Sequence, residues 1–137
     1  QVVAVAGRNA PLLARYEALA REHPGRMVAL GFTKTIERVM SASDLCITKP
    51  GGLSTSECLA IGLPMLLISP IPGQEERNAQ YLLEQGAAWL AMDELALAWR
   101  VQQLLAAPEV LARLRERAAA LGRPQAATQV LNAVLGA

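Results

Sequence analysis

Five short apolar runs, each closed by turn residues and separated from the next by a helical pattern, constrain this chain more than any other feature. They occupy residues 2–6, 27–30, 45–48, 64–68 and 88–91. Runs of this length without polar alternation suit strands covered on both faces. The intervening patterns predict helices over residues 11–22, 36–41, 55–61 and 76–85, and this alternation specifies βαβ units and a parallel sheet. Local chemistry agrees at the boundaries. Asn9 is placed to cap the first helix with Pro11 in its first turn, and Gly62 and Gly86 stand where left-handed stops belong. Beyond Asp93 the pattern is helical, with Leu97, Val101, Leu104 and Leu105 on one stripe, then Leu111 and Leu114, then Val130, Leu131, Val134 and Leu135. Pro108 and Pro124 divide this tail into three helices. The whole chain, residues 1–137, reads as one doubly wound α/β domain with a helical C-terminal tail, a class that binds ligands at the carboxyl ends of its strands.

Composition narrows the function classes. Hydrophobic residues make up 53% of the chain and charged residues 18%, the balance of a packed core rather than of disorder. Aromatic residues are only 4%, which leaves few rings for stacking on the bases of a single strand. With 13 basic and 12 acidic residues the net charge is +1, so no broad footprint for a polyanion exists and any phosphate recognition must be local. The apolar stretch at residues 63–68 is interrupted by Pro64 and too short to cross a bilayer. No basic segment followed by an apolar signal core opens the chain, which makes a cytoplasmic setting the default expectation. Gln1 leads directly into a strand, as if the chain were cut from a longer one. Cys46 and Cys58 belong to no CxxC pair and read as reduced core residues.

Two segments carry candidate chemistry. Residues 47–57 run from a buried strand through Gly51 and Gly52 into a helix, the layout of an anion site. Glycines let the backbone approach a ligand, and the free N–H groups of a first helical turn point outward with the positive end of the dipole behind them. A tight strand-to-helix turn explains the same glycines without a ligand. The segment is neither a GxxxxGK[ST] loop nor a GxGxxG fingerprint. Ser54 and Glu57 have the spacing of a capping box, which accounts for both structurally; alternatively the Glu57 carboxylate accepts hydrogen bonds from two adjacent ribose hydroxyls. The second segment, residues 69–78, is a Pro- and Gly-rich loop that opens onto a helix. There Gln74, Glu75 and Asn78 are hydrogen-bonding groups suited to sugar hydroxyls, although acidic residues in a first turn also serve the helix dipole. His23, the single histidine, lies beside Pro24 and Gly25 at a helix end and reads as a surface residue. No HExxH, paired cysteine ligands or DxD is present, so no metal site is expected.

Taken in order, Thr48-Lys49-Pro50-Gly51-Gly52, Glu57, Ala60-Ile61-Gly62-Leu63-Pro64, Pro72-Gly73-Gln74-Glu75, Asn78 and Gly86-Ala87-Ala88 form a combination that resembles a known family. It is similar to the C-terminal domain of monogalactosyldiacylglycerol synthases and processive diacylglycerol glucosyltransferases. These are relatives of the enzyme that adds N-acetylglucosamine to the peptidoglycan lipid intermediate. The resemblance implies a Rossmann-like C-terminal half of the two-domain GT-B architecture, with an N-terminal acceptor domain and the general base outside this chain. It implies that the backbone at Gly51, Gly52, Leu53 and Ser54 holds a UDP diphosphate and that Glu57 holds the ribose. Phe32 and Thr33 would form the uracil pocket, against the alternative of Phe32 as a core aromatic, and Gln74, Glu75 and Asn78 would meet the sugar. The implied reaction is inverting transfer of galactose or glucose from a UDP-sugar to a lipid such as diacylglycerol, without metal. No cofactor is implied, because the UDP-sugar is a substrate, and no nucleic acid is expected as a partner. The full-length protein would sit peripherally on a membrane surface, where Arg113, Arg115, Arg117 and Arg123 either favour anionic lipid or simply form the solvated side of a helix. Two alternatives stay open: a non-catalytic UDP-sugar-binding subunit of a split transferase, and half of a UDP-sugar epimerase.

Overall fold

The computed structural model describes residues 1–136. Its elements alternate as the sequence pattern requires: β1 (Val2–Gly7), α1 (Ala10–Glu22), β2 (Met27–Gly31), α2 (Ile36–Ser41), β3 (Cys46–Thr48), α3 (Gly52–Ala60), β4 (Met65–Ile68), α4 (Gln74–Glu84), β5 (Ala88–Ala91), α5 (Glu94–Ala106), α6 (Pro108–Leu121) and α7 (Ala126–Leu135). The chain divides into two compact units, Gln1–Ile36 and Glu37–Ala137. Strand hydrogen bonds fall into two ladders accordingly, β1-β2 and β3-β4-β5, where the sequence pattern suggested one sheet. Every strand pair is parallel. Among the described residues no helix is long and apolar enough to cross a membrane.

The first unit is a βαβ crossover. The side chain of Asn9 accepts from the N–H of Leu12 at 3.0 Å, which satisfies one of the donors a helix start leaves open. At the other end His23 is the C-cap of α1, exposed, with its N–H shared between the carbonyls of Leu19 and Ala20. Its position matches the surface role read from the sequence.

The second unit is built around β4, whose Met65, Leu66 and Leu67 are fully buried. The strand period of two separates them. Met65 and Leu67 pack with Cys58 of α3, Ala79 and Leu82 of α4 and Ala118 of α6, whereas Leu66 packs with Leu104 of α5 and Leu114 of α6 on the opposite face. β5 alternates in register, with Ala88 on the first face and Ala91 on the second. Helices therefore cover both faces of a parallel sheet, which is why these strands carry continuous apolar runs. Gly62 and Gly86 take φ of 67° and 68° and close α3 and α4 as left-handed stops, which a side chain would strain. Cys46 and Cys58 are free thiols on β3 and the inner face of α3. The hydrogen bond that Cys58 donates to Cys46, and then burial, push the Cys58 thiol well above its ordinary range, so it remains protonated. The apolar residues Val130, Leu131, Val134 and Leu135 of α7 are exposed.

Candidate functional site

β3 and β4 are paired in parallel with Thr48 opposite Leu67, so their carboxyl ends are neighbours. The loops that leave them, residues 49–51 and 69–73, therefore emerge side by side. The first enters α3 at Gly52, with Gly51 as an extended N-cap that offers no side-chain bond. The first backbone bond of the helix is made by the N–H of Thr55 to the Gly51 carbonyl at 3.0 Å. That leaves the N–H groups of Gly52, Leu53 and Ser54 as the open donors of the helix end. The Gly51 N–H itself is committed to the Lys49 carbonyl at 2.9 Å. The space above this turn is open: a Cβ on Gly51 would meet no atom within 4 Å, and one on Gly52 only the Nε2 of Gln74 at 3.9 Å.

This start lies three residues earlier than the apolar pattern indicates, and it overturns the capping box of Ser54 and Glu57. Ser54 is already the third residue of α3 and cannot be its cap. The first turn is held instead by Thr55, the buried polar residue of the core, whose hydroxyl donates to the carbonyls of Gly51 at 2.9 Å and Gly52 at 3.2 Å. Glu57, one turn further along, is exposed.

The second loop is conformationally strained. Ser69 has a φ of 42° and Gly73 a φ of 101°, a value reserved for glycine. Carboxylates of the following helix hold the loop: Ile71 N–H donates to Glu75 Oε2 at 2.9 Å, and Gly73 N–H donates to Glu76 Oε2 at 3.1 Å. Asn78 Nδ2 donates to the carbonyl of the buried Pro50 at 2.9 Å, joining α4 to the loop that precedes α3. Of the three sugar-contact candidates, Glu75 and Asn78 are thus already engaged by protein backbone, and Gln74 is exposed next to Gly52.

In the first unit Phe32 is 56% exposed, which removes the reading of it as a core aromatic. The Arg8 guanidinium lies over its ring, 4.5 Å from the centroid, an arrangement in which a cation is held by the π face. Thr33 Oγ1 accepts from the N–H of Thr35 at 3.1 Å, fixing the turn after β2.

Comparison with known proteins meets this geometry. Residues 1–130 match the family described as glycosyltransferase family 28 C-terminal domain. The chain belongs to that family. A processive diacylglycerol beta-glucosyltransferase of Bacillus subtilis (strain 168) is 33% identical over 135 residues, 98% of this chain and 35% of that protein. The enzyme of the same description from Bacillus pumilus is 32% identical over the same coverage. The chain thus spans about a third of the length of these relatives. The fold is that of Acinetobacter baumannii MurG, with a TM-score of 0.77 at 20% identity over 99% of this chain and 42% of that one. A Streptomyces glycosyltransferase, SsfS6, aligns with a TM-score of 0.59 at 20% identity, covering 96% of this chain and 40% of its own. The GT-B-like α/β class and the glycosyltransferase family expected from the motifs are therefore established.

Sequence reasoning missed two structural contributors to the site. The run Ser54-Thr55-Ser56 gives no local sign of which hydroxyl faces inward, and the link from Asn78 to Pro50 crosses 28 residues. The glycines alone were a usable signal for the helix start.

Proposed function

We propose that this chain is the donor-binding domain of an inverting glycosyltransferase that moves a hexose from a UDP-sugar to a lipid acceptor such as diacylglycerol, without a metal ion. The observation that carries the reading is the open amino end of α3 at the carboxyl end of β3, with Gln74 of α4 beside it, in a chain of glycosyltransferase family 28. Three outward N–H groups at the positive end of a helix dipole suit a diphosphate. Glucose is the favoured hexose, because the similar Bacillus proteins are described as glucosyltransferases.

The residues divide the donor among them. Within the second unit the N–H groups of Gly52, Leu53 and Ser54 hold the diphosphate, with Gly51 shaping the turn before them, and Glu57 accepts from the ribose hydroxyls. Gln74 is the freest sugar contact; Glu75 retains Oε1, and Asn78 its Oδ1, for the same ligand. In the reaction an acceptor hydroxyl oxygen bonds to the anomeric carbon as the bond to the diphosphate oxygen breaks, and the hydroxyl proton passes to a base outside the residues named here. Negative charge grows on the departing UDP. The α3 end stabilises that charge without reorganising, since its dipoles are fixed by the fold.

Calorimetric titration in the presence of a chelator tests this directly. UDP is expected to bind the folded chain, and uridine much more weakly. Glu57→Ala should lower UDP affinity about tenfold or more, the worth of hydrogen bonds to a charged acceptor. No heat of UDP binding from a chain shown by circular dichroism to be folded would contradict the proposal.

A further inference from the structure

The structure assigns Asn78 a role beyond sugar contact: we infer that its carboxamide positions the diphosphate loop by holding the Pro50 carbonyl. This inference rests on the proposed diphosphate site at α3. The donor bond is 2.9 Å long and partly buried, and it ties the second turn of α4 to the residue immediately before the N-cap of α3. Pro50 has no N–H of its own, so its carbonyl is the polar backbone group through which this turn can be held. Orienting that carbonyl toward α4 fixes the peptide that follows it. The Gly51 N–H is then turned back onto Lys49, and the N–H groups of Gly52, Leu53 and Ser54 are left facing out.

The anchoring side is rigid. α4 starts from the strained Gly73, its entry loop is gripped by Glu75 and Glu76, and Ala79, next to Asn78, is buried in the core. The other side is not: two successive glycines follow Pro50, and neither has a side chain to limit its backbone. A flexible pair held at one end by a side chain from a fixed helix is pre-organised for an anion; the same pair released must be ordered by the ligand, which weakens binding. Gln74 and Asn78 lie one helical turn apart on the same stripe of α4, so one face of this helix both shapes the cradle through Asn78 and presents Gln74 at its mouth.

Isothermal titration of wild type, Asn78→Ala and the similarly sized, uncharged Asn78→Leu with uridine, UDP and UDP-glucose separates the possibilities. A positioning role predicts that both variants lose about tenfold in affinity for UDP, and at least as much for UDP-glucose, while uridine affinity is unchanged. A loss confined to UDP-glucose, with UDP as in wild type, would make Asn78 a sugar contact alone and overturn the inference. UDP affinity equal to wild type in both variants would also overturn it. Wild-type chain with no affinity for UDP would remove the diphosphate reading and this inference together, so the two failures are distinct. Asn78→Leu keeps the bulk of the side chain and loses the donor without adding charge, which preserves the test should Asn78→Ala fold poorly.

Discussion

Gly122→Ala is expected to destabilise the second unit by about 3 kcal/mol, at the upper end of what overpacking costs, because the obstruction is backbone. A Cβ at this position would overlap the Leu59 carbonyl oxygen and lie 3.0 Å from its carbon and 3.3 Å from the oxygen of Ala119. None of these atoms can rotate away as a side chain would. Glycine is needed here for space and not for conformation, since its φ of −58° is open to any residue. Relief requires the end of α6 to move off the last turn of α3, and that motion opens the cluster in which Cys58, Leu59, Ala118 and Leu121 are packed. α3 is the helix whose other end forms the candidate anion site, so the strain reaches function as well. Both tryptophans, Trp89 and Trp99, belong to this unit, and their fluorescence during urea unfolding reports on it alone. A midpoint equal to wild type would show that α3 and α6 can separate freely. The control is Gly51→Ala, where the added methyl meets no atom within 4 Å and φ is −69°; its stability should stay within about 1 kcal/mol of wild type.

The elements whose identity was legible in the sequence are those decided by local chemistry. β4 announces itself because burial on both faces demands an unbroken apolar run, and Gly62 and Gly86 stop their helices because a positive φ demands glycine. The starts of α3 and α4 were less legible. The apolar pattern points to residues 55 and 76, whereas the helices begin at Gly52 and Gln74. Glycine is a poor helix former by propensity, and what places it in a first turn here is the inward hydroxyl of Thr55. The candidate anion site shows the same division. Gly51 and Gly52 mark its location, but the bond from Asn78 that fixes its shape joins residues distant in sequence, and no periodicity encodes such a contact. Asn78 and Glu75 stood out as polar residues in a loop at a strand end; that local signal is the same whether the polar atoms face a ligand or the chain's own backbone.

Gly52→Asp separates the stability of the fold from the occupancy of the site, because the two should respond with opposite signs. Position 52 is the first residue of α3, where a carboxylate interacts favourably with the helix dipole and gains roughly 0.3–1 kcal/mol. Replacing glycine where φ permits also removes freedom from the unfolded chain, worth about 0.4–1 kcal/mol. The only obstacle is Gln74 Nε2, 3.9 Å from the added Cβ, an ordinary contact. The variant should therefore unfold at an equal or higher urea concentration than wild type. Ligand binding should collapse, since the new carboxylate occupies the charge environment that a diphosphate requires. Two like charges some 4–5 Å apart at an effective dielectric near 20 repel by about 3–4 kcal/mol. UDP affinity should accordingly fall by about a hundredfold or more, with uridine unaffected, and added salt should recover part of the loss. Gly52→Asn keeps the bulk without the charge and should lose far less. If Gly52→Asp binds UDP within twofold of wild type, the diphosphate does not sit at this helix end, whatever the relatives do with theirs. If it loses binding while gaining stability, the open end of α3 is a place where the fold forgoes stabilisation that any acidic residue would supply, and a bound anion is the reason it does so.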